Sequence, residues 1–428
     1  MKLIYFKLII ILVFNSWFLS AQDKEKAISC TSCHESILQK PFIHEAVTSG
    51  CDICHVPEKE NHPQKGIKTF NLTNQLPTLC FSCHEEFLKS KKHAPVEAGE
   101  CLNCHNPHAS GNKYLLTSDK QNLCTQCHNL DLEGKKSKHA PVFDWNCHEC
   151  HDPHQSDNDY FLKENKPDLC FKCHENLKTA TSFSSQHPPF QDDCGNCHQP
   201  HTADNEHLLN DSIPSICNSC HTSFVNESSK SKHSILEDKK NCSNCHDPHA
   251  SNFPSNLISE EKKLCLDCHG KTIKTDDHTY SNIGELIKPG NNVHAAIEVG
   301  GCISCHNPHA SEFVSLVNAA FPKGNYTDGN PANYQLCFNC HEQGIIDSQQ
   351  DNQITNFRDG SKNLHYIHSG QQKSRNCNLC HNVHGSVNLH LLQNTVKFGS
   401  WEMPINYTDL PNGGTCNSGC HEKKSYTR

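Results

Sequence analysis

The chain has 428 residues, a formal net charge of −9 and only 35% hydrophobic residues, and its 30 cysteines are counted among these. Ordinary globular chains reach ~45–50% apolar residues with glycine included, and the mean hydropathy here is −0.68. These values exclude ordinary globular domains, because side chains alone cannot offset the entropy of ordering such a chain.

At the N-terminus, Lys2 and Lys7 precede an apolar run from Leu8 to Leu19 that Asn15 and Ser16 interrupt. Ser20 and Ala21 then offer a small-residue cleavage site before Gln22. The run falls short of the ~20 apolar residues of a membrane span, so residues 1–21 read as a signal peptide, with an uncleaved anchor as the alternative. No cysteine stands at the cleavage point, which argues against a lipid anchor. The expectation is a soluble chain exported to the periplasm, or onward to the cell surface or exterior, without a transmembrane segment once mature.

From there the cysteines set the organisation. The chain reads C-x-x-C-H at Cys30, Cys33 and His34, then at Cys51, Cys54 and His55, and at Cys80, Cys83 and His84. It does so again at Cys101, Cys104 and His105, at Cys124, Cys127 and His128, and at Cys147, Cys150 and His151. Further copies are Cys170, Cys173 and His174; Cys194, Cys197 and His198; Cys217, Cys220 and His221; and Cys242, Cys245 and His246. The series continues through Cys265, Cys268 and His269, Cys302, Cys305 and His306, Cys337, Cys340 and His341, and Cys377, Cys380 and His381. A fifteenth copy, Cys416, Cys420 and His421, has one extra residue between its cysteines, and no cysteine is left over.

In an exported chain so many cysteines would by default be disulfides. Neither disulfides nor zinc ribbons call for a histidine directly after every second cysteine. Covalent haem does: two thiols add to the porphyrin vinyl groups and the adjacent histidine becomes the proximal iron ligand. The sequence therefore predicts about fifteen covalently attached haem c groups. They would supply the missing apolar interior, and folding would depend on their attachment.

First cysteines recur every 21 to 29 residues up to Cys265 and every 35 to 40 beyond it. Such a period indicates an array of similar units. Residues 22–269, with eleven regularly spaced haems, and 270–428, with four at longer spacing, are expected to form two lobes or one continuous rod. The motifs pair off. After the first motif of a pair comes a tripeptide such as Asn106-Pro107-His108 or Asp152-Pro153-His154, and a further histidine precedes it. The tripeptide histidine is too close along the chain to reach the opposite face of its own porphyrin, and proline resists a helical continuation. It is expected to cap the iron of a neighbouring haem.

Of 34 histidines, fifteen are proximal. Candidates for the opposite side are His44 and His62, His93 and His108, His139 and His154, His187 and His201, His233 and His249, His294 and His309, and His368 and His384. His62 departs from the pattern, lying seven residues after His55. For the lone first motif the remaining candidates are His148, His207, His278, His365 and His390, each otherwise a solvated or packing residue. A five-coordinate iron is the alternative there or in the long-spaced region. Methionine ligation is nearly excluded, because only Met1 and Met403 exist; Met/His ligation raises haem potential, so low potentials are expected. No residue marks a catalytic site.

The fold class expected is mostly irregular, with short α-helices and little β, built around haem. Helices are expected after the second motifs, as at Glu85–Lys89, and loops at inserts such as 321–326. Leu79, Leu123, Leu169, Ile216, Leu264 and Leu336, each just before a second motif, are expected to touch porphyrin. Propionates would make the holo-protein more acidic, disfavouring nucleic acid and favouring basic partner surfaces. The lysines of 89–92 and 135–138 are expected to be solvated or to meet propionates.

This pattern resembles the multihaem cytochromes that carry the doubled CxxCH motif, grouped with cytochrome c3-type proteins. The resemblance implies bis-histidine c-type haems, sparse secondary structure and electron transport across the periplasm, with other cytochromes or an outer-membrane porin–cytochrome conduit as partners. An electron carrier is the reading it favours. A multihaem oxidoreductase reducing a small nitrogen or sulfur compound at one open iron is the alternative, and a structural metal-binding array a third.

Overall fold

The computed structural model describes residues 29–428 except 59–61, 63–68, 223–227, 239, 276–277 and 352. The expected signal peptide lies outside the described residues. Contacts divide the chain into one unit of residues up to 130 with 144–163, and a second of residues 131–143 with 164–428. This division does not fall at the 269/270 boundary expected from motif spacing.

One local plan recurs in both units. The first motif of a pair opens as a single 3₁₀ turn, as at Cys101–Asn103, with the His105 N–H donating to Cys101 O at 3.0 Å. Pro107 cannot donate to a helix, and the Asn106 carboxamide accepts from the N–H groups of His108 (3.0 Å) and Ala109 (3.3 Å). The chain therefore reverses after the motif. Ala109–Ser110 becomes a short strand, and the Ser110 hydroxyl donates to Leu116 O. Between them Tyr114 and Leu115 take left-handed conformations, φ 57° and 56°. Two such non-glycine residues cost about 1–2 kcal/mol each. The serine bond, the bridge of His105 to Leu116 and the Asn106 N–H bond to Leu115 O (2.7 Å) hold the turn. Left-handed pairs recur at Tyr160 and Phe161, His207 and Leu208, Ser255 and Asn256, Ser315 and Leu316, and His390 and Leu391.

The second motif of a pair sits on a helix that begins before it, except at Cys416, which ends a strand. Examples are Lys120–Thr125, capped by Asp119 accepting from Asn122 N at 2.9 Å, and Glu261–His269, capped by Glu260. The expected helix at Glu85–Lys89 is absent, whereas Glu175–Ala180 does follow its motif. The helices at Lys120–Thr125 and Glu261–His269 start at a side-chain cap ahead of the cysteines, whereas the helix at Thr78–Phe81 starts after Pro77 without one.

Two-residue strands link one pair to the next. In the first unit Phe42–Ile43 pairs with Ala109–Ser110, and Lys91–Lys92 with Gln155–Ser156. In the second, Ser137–Lys138 pairs with Thr202–Ala203, Ser185–Gln186 with Ala250–Ser251, Ser231–Lys232 with Ala310–Ser311, and Asn292–Val293 with Gly385–Ser386. The lysine-rich segments thus take part in strands and ion pairs: Lys91 meets Asp159 at 2.7 Å, and Lys135 meets Asp204 at 3.1 Å.

The longest strands lie at the end of the chain. Thr395–Phe398 pairs with Trp401–Pro404, and Tyr407–Leu410, Gly413–Cys416 and Lys424–Thr427 form a three-stranded sheet. Leu379, Met403 and Ile405 make a small apolar cluster here. Elsewhere, buried apolar side chains are scattered, as Val142, Phe171 and Ile346 are. Among the described residues no helix is long and apolar enough to cross a membrane.

Candidate functional site

The described histidine rings meet in pairs, each joining a motif histidine to a histidine outside the motifs. In the first unit His34 faces His62 with centroids 6.1 Å apart, and His44–His84, His55–His108, His93–His128 and His105–His154 each stand at 5.9 Å. In the second unit His139 faces His174 (6.2 Å), His187 faces His221 (6.0 Å), and His198–His249, His233–His269 and His246–His309 stand at 6.1 Å. His294 faces His341 at 6.1 Å, His306 faces His384 at 6.2 Å, and His365 faces His381 at 6.5 Å. His151 belongs to the first unit and His201 to the second. His368 and His421 interact electrostatically.

Two positions differ from expectation. His62, grouped by sequence with the first pair, faces His34 of the lone first motif. His365, read as solvated or packing, faces His381. The other unassigned histidines do different work. Carbonyls of His207 and His390 accept from His198 Nδ1 (2.9 Å) and His381 Nδ1 (2.8 Å). His148 lies against Lys120 Nζ at 3.2 Å, and His278 meets the Tyr280 ring at its edge.

Backbone carbonyls fix one nitrogen of many rings. In first motifs the acceptor is the carbonyl of the first left-handed turn residue: Tyr114 for His105 (2.9 Å), Tyr160 for His151 (2.7 Å), Ser255 for His246 (2.8 Å) and Ser315 for His306 (3.0 Å). For the histidines preceding a pair it is the proline of the next tripeptide: Pro107 for His44 (2.8 Å), Pro200 for His139 (2.9 Å), Pro248 for His187 (2.8 Å) and Pro308 for His233 (3.1 Å). Since a carbonyl only accepts, Nδ1 must carry the proton and Nε2 is left with its lone pair. Burial, reinforced by neighbouring imidazoles, pushes His365 and His384 down to about 4. Both rings stay neutral near pH 7, as metal ligation requires.

No disulfide joins the described cysteines. First cysteines of consecutive motifs come within hydrogen-bonding reach, Cys80 of Cys101, Cys124 of Cys147, Cys170 of Cys194, Cys217 of Cys242 and Cys265 of Cys302. Second cysteines interact electrostatically at the alternate junctions, as Cys104 does with Cys127 and Cys245 with Cys268. Within each unit the motifs therefore adjoin in sequence order. A hydrogen bond from Cys170 draws Cys194 down to about 6, and burial pushes Cys380 up to about 11.

These residues fit haem c. Two imidazoles bound through Nε2 at about 2 Å, the usual metal–imidazole distance, put their centroids about 6 Å apart. The facing rings stand at 5.9–6.5 Å, and two unbridged thiols lie beside one ring of each pair.

The sequence signals missed were repeat-wide ones. The serine five residues after the motif histidine (Ser110, Ser156, Ser251, Ser311, Ser386) and the apolar residue eleven after it (Leu116, Leu162, Leu209, Leu257, Val317, Leu392) build the ring-holding turn. Superposing the repeats makes both visible.

A family profile for the doubled CXXCH motif matches residues 44–89, 93–131, 139–179, 187–226, 233–274 and 294–345, more than half of the chain. Each matched segment begins on one of the facing histidines outside the motifs. No curated protein matches the chain in sequence.

Proposed function

Because the chain belongs to the doubled-CXXCH family of multihaem c-type cytochromes, we propose that it is an exported electron relay whose fifteen motifs each hold one haem c. The six doubled motifs hold haem c covalently and give the chain an electron-transfer role. The finer reading adds the motifs at Cys30, Cys377 and Cys416, two histidines on each iron, and transfer between redox proteins in the periplasm or at the cell surface.

Haem c supplies one-electron iron chemistry when bound. The cysteines would fix each group to the chain, and the motif histidine and the histidine facing it would hold its iron between them. Nδ1–H bonds to carbonyls orient the rings and make them more basic, which favours the oxidised metal. Met403 lies in the apolar cluster near Cys420 Sγ (3.3 Å), and the ligand inventory supports low potentials.

The observation carrying this reading is that rings facing at about 6 Å combine a motif histidine with a histidine outside the motifs. Contacts between consecutive motifs support transfer along the sequence order within each unit. Lys2, Lys7 and the apolar run after them support export, to the periplasm or beyond. The acidic balance of the chain supports partners with basic surfaces, such as other cytochromes or a porin–cytochrome conduit.

Expression with a cytochrome c maturation system tests the proposal. Intact mass should exceed that of the processed polypeptide by fifteen haems, and the oxidised protein should be wholly low-spin. A high-spin fraction with turnover of nitrite, hydroxylamine or tetrathionate would replace the relay with a reductase.

A further inference from the structure

The last two motifs lie beyond the family match, which ends at residue 345. In the matched pairs the second motif's histidine faces the histidine that precedes its own pair, as His84 faces His44, and the first motif's faces a later tripeptide histidine, as His55 faces His108. His368 holds the sequence position that would serve the Cys416 motif on that plan, whereas the Cys377 motif departs from it: its histidine faces His365, and its own tripeptide histidine, His384, faces His306. We infer that the six-residue helix Leu364–Ser369 carries the opposite-side ligands of both, His365 toward His381 and His368 toward His421, and that Asn363 is their positioning residue. This rests on the reading that these two motifs hold haem.

Position carries the inference. His365 and His368 are three residues apart, so they project from one side of the helix. His365 stands 6.5 Å from His381 with planes 24° apart. Its Nδ1 bonds Thr355 Oγ1 at 3.1 Å, and Thr355 N donates to the Asp351 carboxylate at 2.8 Å. His368 Nδ1 donates to Leu364 O at 2.7 Å. Both rings thus present Nε2.

The Phe357 ring touches His365 (5.1 Å), His368 (5.6 Å) and Tyr426 (5.4 Å). Tyr426 lies on the strand that pairs with Gly413–Cys416. Phe357 therefore stands between His368 and the sheet that delivers the last motif.

Asn363 has no exposed surface. Its amide nitrogen donates to Gly344 O (3.2 Å), Ile345 O (2.9 Å) and Ser348 O (2.8 Å). Its oxygen accepts from His365 N (2.9 Å) and Tyr366 N (3.3 Å), which caps the helix. The carboxamide donates to one group of carbonyls through its nitrogen while its oxygen accepts from the helix start. Losing it would leave buried carbonyls unpaired and free the helix start.

The test reads spin state and potential in holo-protein whose haem content is fixed by intact mass. His365→Ala and His368→Ala should each turn one-fifteenth of the ferric iron high-spin, and the double variant two-fifteenths, with added imidazole restoring the low-spin form. His365→Met keeps a ligand, and should stay low-spin while raising the potential of one haem. Asn363→Ala should produce a high-spin fraction approaching two-fifteenths, also reversed by imidazole, whereas His148→Ala should change nothing. Full haem content with unchanged low-spin spectra and potentials in the His365 and His368 variants would overturn the ligand assignment. The same result for Asn363→Ala would remove its positioning role. A wild-type mass short of fifteen haems would instead overturn the functional reading beneath.

Discussion

His294 and His341 face each other at 6.1 Å with ring planes 54° apart, whereas His306 and His384 are only 6° from parallel. The other facing pairs lie between 14° and 25°. The relative orientation of two axial imidazoles sets the splitting of the iron d orbitals. One haem of the oxidised protein should therefore contribute a separate low-spin EPR signal with a larger maximum g value, about one-fifteenth of the total. His294→Met should abolish it; a spectrum with a single rhombic low-spin species would refute the prediction.

His62 Nδ1 bonds the buried Thr69 hydroxyl at 2.6 Å, a side chain where rings such as His44 and His105 use a carbonyl. Thr69→Val removes that acceptor and should weaken the ring as a donor to ferric iron. A tenfold loss corresponds to about +59 mV for one electron. Spectropotentiometry should show a single haem shifted upward by a few tens of millivolts, with haem content intact.

Ser156 is 1% exposed, donates to Leu162 O at 2.5 Å and accepts from Asn158 N at 2.9 Å. Ser156→Ala should cost about 1 kcal/mol locally, since Asn158 Nδ2 still reaches Leu162 O. Exchange of the Asp152 and Lys163 amides, which close this turn, should speed up about fivefold. In the repeat where Ala203 takes the serine position, Asn205 alone holds Leu209 O, at 3.2 Å. Ala203→Ser should slow exchange there.

Asp409 lies on the strand Tyr407–Leu410, and the Arg428 guanidinium and Tyr407 hydroxyl beside it hold its carboxyl below the usual range. With its folded value depressed, this group stabilises the native state above the unfolded value, about 3.9. That contribution is lost as pH falls through the lower, folded value. Proteolytic release of the 424–428 segment should rise in that acid window for the wild type. Asp409→Asn should release it readily at every pH and show no such rise.

Covalent attachment left the clearest marks in the sequence, because it needs two thiols and a histidine in fixed order within five residues. Ligand exchange between pairs was legible as a principle from Pro107 and its counterparts, which turn the second histidine away from its own motif. Its wiring was not legible. His108 reaches His55 because the two-residue strands Phe42–Ile43 and Ala109–Ser110 pair across more than sixty residues, and such short strands carry little sequence signal. His365 escaped because its partner is fixed by the buried Asn363 and Asp351, which have no counterpart in the repeats. The helix expected at Glu85–Lys89 lies instead at Thr78–Phe81, ahead of and across the first cysteine of its motif.

Because the strands join each pair to its successor, a ring outside the motifs commonly arrives well after the iron it is to close. His55 waits for His108, His105 for His154, and His198 for His249. At synthesis rates of about 5–20 residues per second, a gap of about fifty residues is a delay of roughly 3–10 s. During maturation a nascent chain would trail a haem that is attached but still one-sided, able to bind passing small ligands until the next segment emerges. Cutting the protein between pairs would make that transient vulnerability permanent at the new end.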